Sequence, residues 1–199
     1  MNHLAHLLLA GPDPALRAGG FLGDFVRGGL DGTRPAELEL GIALHRHLDA
    51  STDRHPAVLA AVAQFRPPWR RWAPVALDVW FDHLLARAFE PLTGHALATF
   101  AATAYDDLEL HRAHFPAPAL QFLERMQARD LLVRYGDRET ISGVLGHLSR
   151  RSPRAAPLAD IDGELDRLAP VLQACFTTLL PDLQAASRLW RTRRGQNVD

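Results

Sequence analysis

The sequence predicts an all-α, single-domain helical bundle of about seven or more helices. Three observations lead there. Apolar residues recur at three- and four-residue spacing along most of the chain. Prolines fall between those segments, where they do least harm. No stretch combines period-two alternation with hairpin turn chemistry. At 199 residues and 47% hydrophobic, the chain can bury one core and is too short for two. One domain over 1–199 is expected, with 190–199 as a frayed tail.

Taken in order, MNHLAHLLLA reads as a helix on which Asn2 and His6 share a face while His3 points elsewhere. Residues 11–33 hold Gly19, Gly20, Gly23, Gly28, Gly29 and Gly32, and read as a short helix around FLGDFV between flexible loops. Helical periodicity then runs over 35–50, 72–89, 94–114, 118–133, 138–150, 160–180 and 182–194. Pro35, Pro56, Pro67, Pro68, Pro116, Pro153 and Pro181 mark the proposed ends. Asp137 precedes RETISGVLGHL as an N-cap.

The bulk properties exclude several roles. A net charge of −1 provides no global field for nucleic acid or membrane. No apolar run approaches the roughly 20 residues that span a bilayer. The start of the chain has no basic region ahead of its apolar run, as a secretory signal would. Cys175 is the single cysteine, so no intrachain disulfide forms and a cytoplasmic location is expected. Every basic residue other than histidine is arginine, whose planar fork suits phosphate and carboxylate.

Chemistry concentrates in four places. MNHLAH carries Asn2 and His6. GDFVRG carries Asp24 and Arg27 in a glycine frame that permits close backbone approach. ALHRHLDASTDRHP, residues 43–56, places His45 and Asp49 at i and i+4 and Arg46 and Asp49 at i and i+3, with Asp53 and His55 in the turn that follows. ALDVWFDHLLAR places Asp78 and Asp82 at i and i+4, with His83 adjacent. Each has an ordinary structural reading: a surface ion pair, a helix cap, a core histidine on a carbonyl. Together, two like carboxylates one turn apart and a mixed His/Asp set from several helices suit a divalent cation. His95, His111, His114 and His147 read as surface or core histidines, and Trp69, Trp72 and Trp80 as packing residues.

The run MNHLAHLLLA, FLGDFVRG, GIALHRHLDASTDRHP, APVALDVWFDHLLAR, LLVRYGD and VLGHLSRR resembles acyl carrier protein phosphodiesterase in order and spacing, to about residue 154. The resemblance implies an all-α fold remotely related to the HD-domain metal-dependent phosphohydrolases. It also implies removal of 4′-phosphopantetheine from holo acyl carrier protein to give the apo carrier, a place in lipid metabolism, and manganese as the usual metal, with Mg²⁺ or another divalent ion as alternatives. It carries over onto Asn2, His6, Asp24, Arg27, His45, Arg46, Asp49, Asp53, Asp78, Asp82 and His83. It departs at His3, where the family has an aromatic residue, at Leu8, where it has a second histidine, and at Gly19 and Gly20, near which it has an asparagine.

Resemblance and residue chemistry together yield a role for each position. Asp24, His45, Asp82 and His83 are expected to ligate the metal. His6, Asp49 and Asp78, with Asp24, are expected to be catalytic or to orient ligands. Asn2, Arg27, Arg46 and Asp53 are expected to contact substrate, the arginines through phosphate oxygens. A metal-bound hydroxide is the expected nucleophile, since no serine or cysteine lies in a nucleophile motif. An acidic carrier would need a basic patch, with Arg66, Arg70 and Arg71, then Arg150, Arg151 and Arg154, then Arg191, Arg193 and Arg194 as candidates. Two other readings stand beside this one: a metal phosphohydrolase of nucleotides or small phosphodiesters, and a non-catalytic helical module that binds acyl carrier protein.

Overall fold

A computed structural model describes residues 2–195. Among them are eleven α-helices, three 3₁₀ segments and no strand, as the periodicity predicts. The helices are α1 (His3–Leu9), α2 (Pro14–Leu22), α3 (Ala36–Arg54), α4 (Pro56–Ala63), α5 (Ala73–Arg87), α6 (Phe89–Thr93), α7 (Leu97–Leu110), α8 (Ala117–Ala128), α9 (Leu131–Arg134), α10 (Arg138–Ser149) and α11 (Asp162–Thr192). No helix among the described residues is long and apolar enough to cross a membrane.

Helix α1 is the central strut. Leu4, Ala5 and Leu7 are wholly buried, and α2, α5 and α11 pack around it. A buried helix start leaves backbone amides that need acceptors. Here Asp82 of α5 supplies them: its carboxylate accepts from the amides of Leu4 at 2.7 Å and Ala5 at 3.1 Å. Asp82 is itself fully buried.

The glycine-rich segment differs from expectation. Gly19 and Gly20 lie inside α2, which starts at an Asp13 cap bonded to the amides of Ala15 and Leu16. Helices α2 and α3 cross where Gly19 meets Gly41. A Cβ on Gly19 would come within 2.3 Å of the Leu38 carbonyl oxygen, and one on Gly41 within 2.6 Å of the Leu16 carbonyl oxygen. These glycines are there for close helix packing rather than for loop freedom. Irregular backbone follows at 26–35.

Other boundaries shift for identifiable reasons. Helix α3 continues to Arg54, so Asp53 lies on it, one turn beyond Asp49, and not in a turn. The expected helix over 118–133 breaks at Asp130, whose φ is 45°. Residues 160–180 and 182–194 form one helix, α11, with Pro170 and Pro181 inside it. Both prolines are exposed, so the carbonyls they leave without partners reach water. The buried stripe of Leu165, Leu168, Leu172, Phe176, Leu179, Leu183 and Trp190 holds register through both. The expected frayed tail overlaps this helix, because Trp190 and Arg191 are buried; residues 196–199 lie outside those described. Asp137 stands at the α10 N-cap position, but its side chain pairs with Arg134 at 3.6 Å instead of capping.

Candidate metal centre

The centre is assembled by α1, the end of α2 and α3. On α3, His45 and Asp49 are one turn apart and face His6 on α1. Asp49 spans the two imidazoles, with Oδ2 at 3.0 Å from His45 Nε2 and Oδ1 at 3.1 Å from His6 Nε2. The imidazole rings stack, 3.8 Å between centroids and 23° between planes. One ligand atom from each of the three residues lies within 4.8 Å of the other two, the one such His/Cys/Asp/Glu group among the described residues.

A hydrogen bond outside the trio fixes how His45 presents itself. Its Nδ1 is 2.9 Å from the Gly20 carbonyl oxygen. A carbonyl only accepts, so Nδ1 carries the proton and Nε2 of the neutral ring offers a lone pair. That lone pair meets the lone pairs of Asp49 Oδ2. Two acceptors at 3.0 Å repel unless a proton or a metal cation lies between them. The donor set therefore fits a divalent ion: two imidazoles and a carboxylate, with one histidine oriented from behind.

Electrostatics agree. Burial disfavours the charged form of His45, but Asp49 and Asp24 and the Gly20 carbonyl outweigh it, so its pKa is raised. Burial and the neighbouring His45 push His6 down to about 4, so His6 is neutral at pH 7. Burial opposes ionisation of Asp49, yet hydrogen bonds from His45 and His6 hold its carboxyl well below the usual carboxylate range.

Asp24 faces this trio from the solvent side, in the turn after α2. Its Oδ1 is 3.9 Å from His45 Nε2 and its Oδ2 is 3.4 Å from His3 Nδ1; the side chain is 45% exposed. His3, expected to point elsewhere, is buried and turned to Asp24, against the rings of Phe122 at 4.8 Å and Phe21 at 5.8 Å. It keeps aromatic contacts at a position where the resemblance implies an aromatic residue. Gly23 makes room for the centre, since a Cβ there would sit 2.2 Å from His45 Cγ.

The remaining expected site residues divide. Asp78 is half-buried; burial raises its pKa, and the charges of Asp49 and Asp53 add to that. It lines a small depression with Asp53 and Thr52 beside the trio's helix. Arg46 was expected on phosphate. Instead its guanidinium donates to the carbonyls of Val26 and Gly28, both at 2.8 Å, which holds the segment carrying Asp24 and Arg27 against α3. Arg27 is exposed on that segment. Asn2 donates to the Tyr135 hydroxyl at 3.2 Å.

Asp82 and His83, expected as ligands, are not among the converging atoms. Asp82 is occupied by the amides of α1, and burial raises its pKa to about 7. His83 donates from Nδ1 to the Tyr135 carbonyl at 2.8 Å and lines a separate cleft with Trp80, Arg87 and Arg138. Adjacent residues on a helix point about 100° apart, so one of the two had to turn away. No sequence signal separated Asp82 from Asp49, because the difference lies in which helix starts beside it.

The family model described as acyl carrier protein phosphodiesterase matches residues 1–183. A protein of that name from Escherichia coli is 35% identical over 190 residues, covering 94% of this chain and 98% of the relative. One from Yersinia pestis is 34% identical over 184 residues, covering 92% and 95%. One from Photorhabdus laumondii is 32% identical over 182 residues, covering 91% and 92%. No solved structure matches the chain.

Proposed function

The chain belongs to the acyl carrier protein phosphodiesterase family, and on that premise we propose that it hydrolyses the phosphodiester of holo acyl carrier protein with the help of a divalent metal. The products are 4′-phosphopantetheine and the apo carrier. Manganese is the ion of first choice. The observation that carries the metal reading is the convergence of His6, His45 and Asp49 with His45 oriented by Gly20.

When bound there, the cation supplies charge neutralisation for the non-bridging oxygens and lowers the pKa of a neighbouring water. The protein does the rest. His6, His45 and Asp49 would hold the ion. Asp24, exposed and tethered through His3, orients the attacking water and accepts its proton. Arg27 reaches the phosphate from the same segment. Arg46 keeps that segment in register and acts through it, without touching substrate. Water adds to phosphorus, the bond to the carrier's serine oxygen breaks, and that oxygen takes up a proton.

Intact mass of holo acyl carrier protein after incubation with Mn²⁺ or with chelator tests this. A metal-dependent loss of the phosphopantetheine mass, abolished by Asp24→Ala in a folded protein, is expected. An unchanged mass in the presence of Mn²⁺ contradicts the proposal.

A further inference from the structure

Most arginines with a structural task in this fold have an acidic partner. Arg17 pairs with Asp107, Arg112 with Glu109 and Glu124, Arg134 with Asp137, Arg138 with Asp162 and Asp166, and Arg167 with Glu164. Exposed arginines such as Arg71, Arg87 and Arg154 also stand outside those pairs among the described residues, but four others gather on one face. Arg125 and Arg129 at the end of α8, and Arg150 and Arg151 just past α10, are exposed. None of their guanidinium groups has an ion-pair or hydrogen-bond partner among the described residues. His147, exposed between them, feels all four: after burial, the nearby charges of Arg151, Arg150, Arg125 and Arg129 lower its pKa. With a net charge of only −1 for the whole chain, this positive face is a local feature.

The face adjoins the metal centre. Arg125 Cζ lies 5.8 Å from the ring centroid of Phe122. The Phe122 ring is 4.8 Å from His3, and His3 Nδ1 is 3.4 Å from Asp24. Phe25, next to Asp24 in the chain, packs on Phe122 at 5.8 Å. The centre itself is rich in carboxylates (Asp24, Asp49, Asp53 and Asp78), which repel an approaching anionic macromolecule. An uncompensated cationic rim beside them offsets that repulsion and favours one direction of approach.

We propose that Arg125, Arg129, Arg150 and Arg151, around His147, form the docking face for an acidic protein, seated so that its phosphodiester-linked arm passes the half-buried Phe25 and Phe122 to Asp24. The inference rests on the carrier-hydrolysis reading above and adds where the carrier sits. It selects Arg150 and Arg151 from the three arginine clusters of the sequence and joins them to two arginines of α8. The Arg66–Arg71 cluster is a weaker candidate, since Arg70 donates to the carbonyls of Phe65 and Ala63.

Steady-state kinetics on the full chain with Mn²⁺ and holo acyl carrier protein test the docking face, using the double variant Arg129→Glu/Arg150→Glu. A KM raised about 10-fold or more is expected, with kcat at saturating carrier and the melting temperature unchanged. The wild-type KM should climb steeply with added NaCl, and the variant should lose most of that slope. Arg129→Lys/Arg150→Lys should retain wild-type KM, because charge and not fork geometry is at work. If wild-type enzyme turns over carrier and the double Glu variant keeps its KM, the docking face is overturned while the functional reading stands. A fall in kcat without a change in KM also overturns it. If wild-type enzyme neither binds nor converts carrier, both fall together.

Discussion

On α3, His45 and Asp49 stand one turn apart and both side chains turn toward His6 of α1. On α5, Asp82 and His83 stand side by side and turn apart, one to the amides that begin α1 and the other to the Tyr135 carbonyl. The residue types are the same, but the acids differ in exposure: Asp82 is fully buried, whereas Asp49 keeps 41% of its side chain exposed. What separates them is the identity of the opposing atoms. Around Asp82 each acceptor faces a donor, so the arrangement is complete. Around Asp49 an acceptor faces the lone pair of His45, and the arrangement is completed by a proton or by a cation. A buried acid with satisfied oxygens is a structural part; converging acceptors mark a site.

The largest effect that sharpens this contrast is on stability. Asp82→Ala leaves the first amides of a buried helix without acceptors and is expected to cost about 2–4 kcal/mol, read as a lower denaturation midpoint. The molecules that remain folded should still bind Mn²⁺. A fully stable Asp82→Ala protein that no longer binds Mn²⁺ would move Asp82 back among the ligands.

Next comes Gly23→Ala. The backbone at Gly23 is helical, with φ −51°, so the cost is purely steric and falls on the His45 ring. Displacing a ligand's orientation typically lowers metal affinity roughly 10- to 100-fold. Manganese titration should show that loss with little change in helicity. Unchanged affinity would mean that the ring position is unimportant.

The smallest effect is graded with pH. The raised pKa of His45 means that its proton contributes stability below the ordinary value of 6.5, a contribution lost as pH rises through the folded value. A cation bound there would have to displace that proton, whereas His6 is already neutral and Asp49 already ionised. Manganese affinity should therefore rise about tenfold per pH unit until the His45 pKa is passed, and then level off. A flat profile between pH 6 and 7.5 would contradict the assigned protonation.

The helical class was legible because the apolar stripes are long and regular, whereas the continuity of α11 through Pro181 was not, because a proline at that position reads as an element end. Helix α2 was hidden because Gly19 and Gly41 act through a contact 22 residues apart in sequence, which periodicity along one segment does not reveal. At the site, His45 and Asp49 were legible from i, i+4 spacing, and His6 and Asp24 from their motifs. The roles of His3, Arg46 and Asp82 were not, since each depends on an atom of another element: Asp24, the Val26 and Gly28 carbonyls, and the amides of α1.

The central claim is that the metal centre lies on α1 and α3 and not on α5. Calorimetric titration of Mn²⁺ into wild-type, Asp49→Asn and His83→Gln proteins, all at pH 7.5, tests it most directly. Binding lost in Asp49→Asn and retained within about threefold in His83→Gln is the predicted result, since only the first residue offers a converging ligand atom. Binding retained in Asp49→Asn and lost in His83→Gln would contradict it.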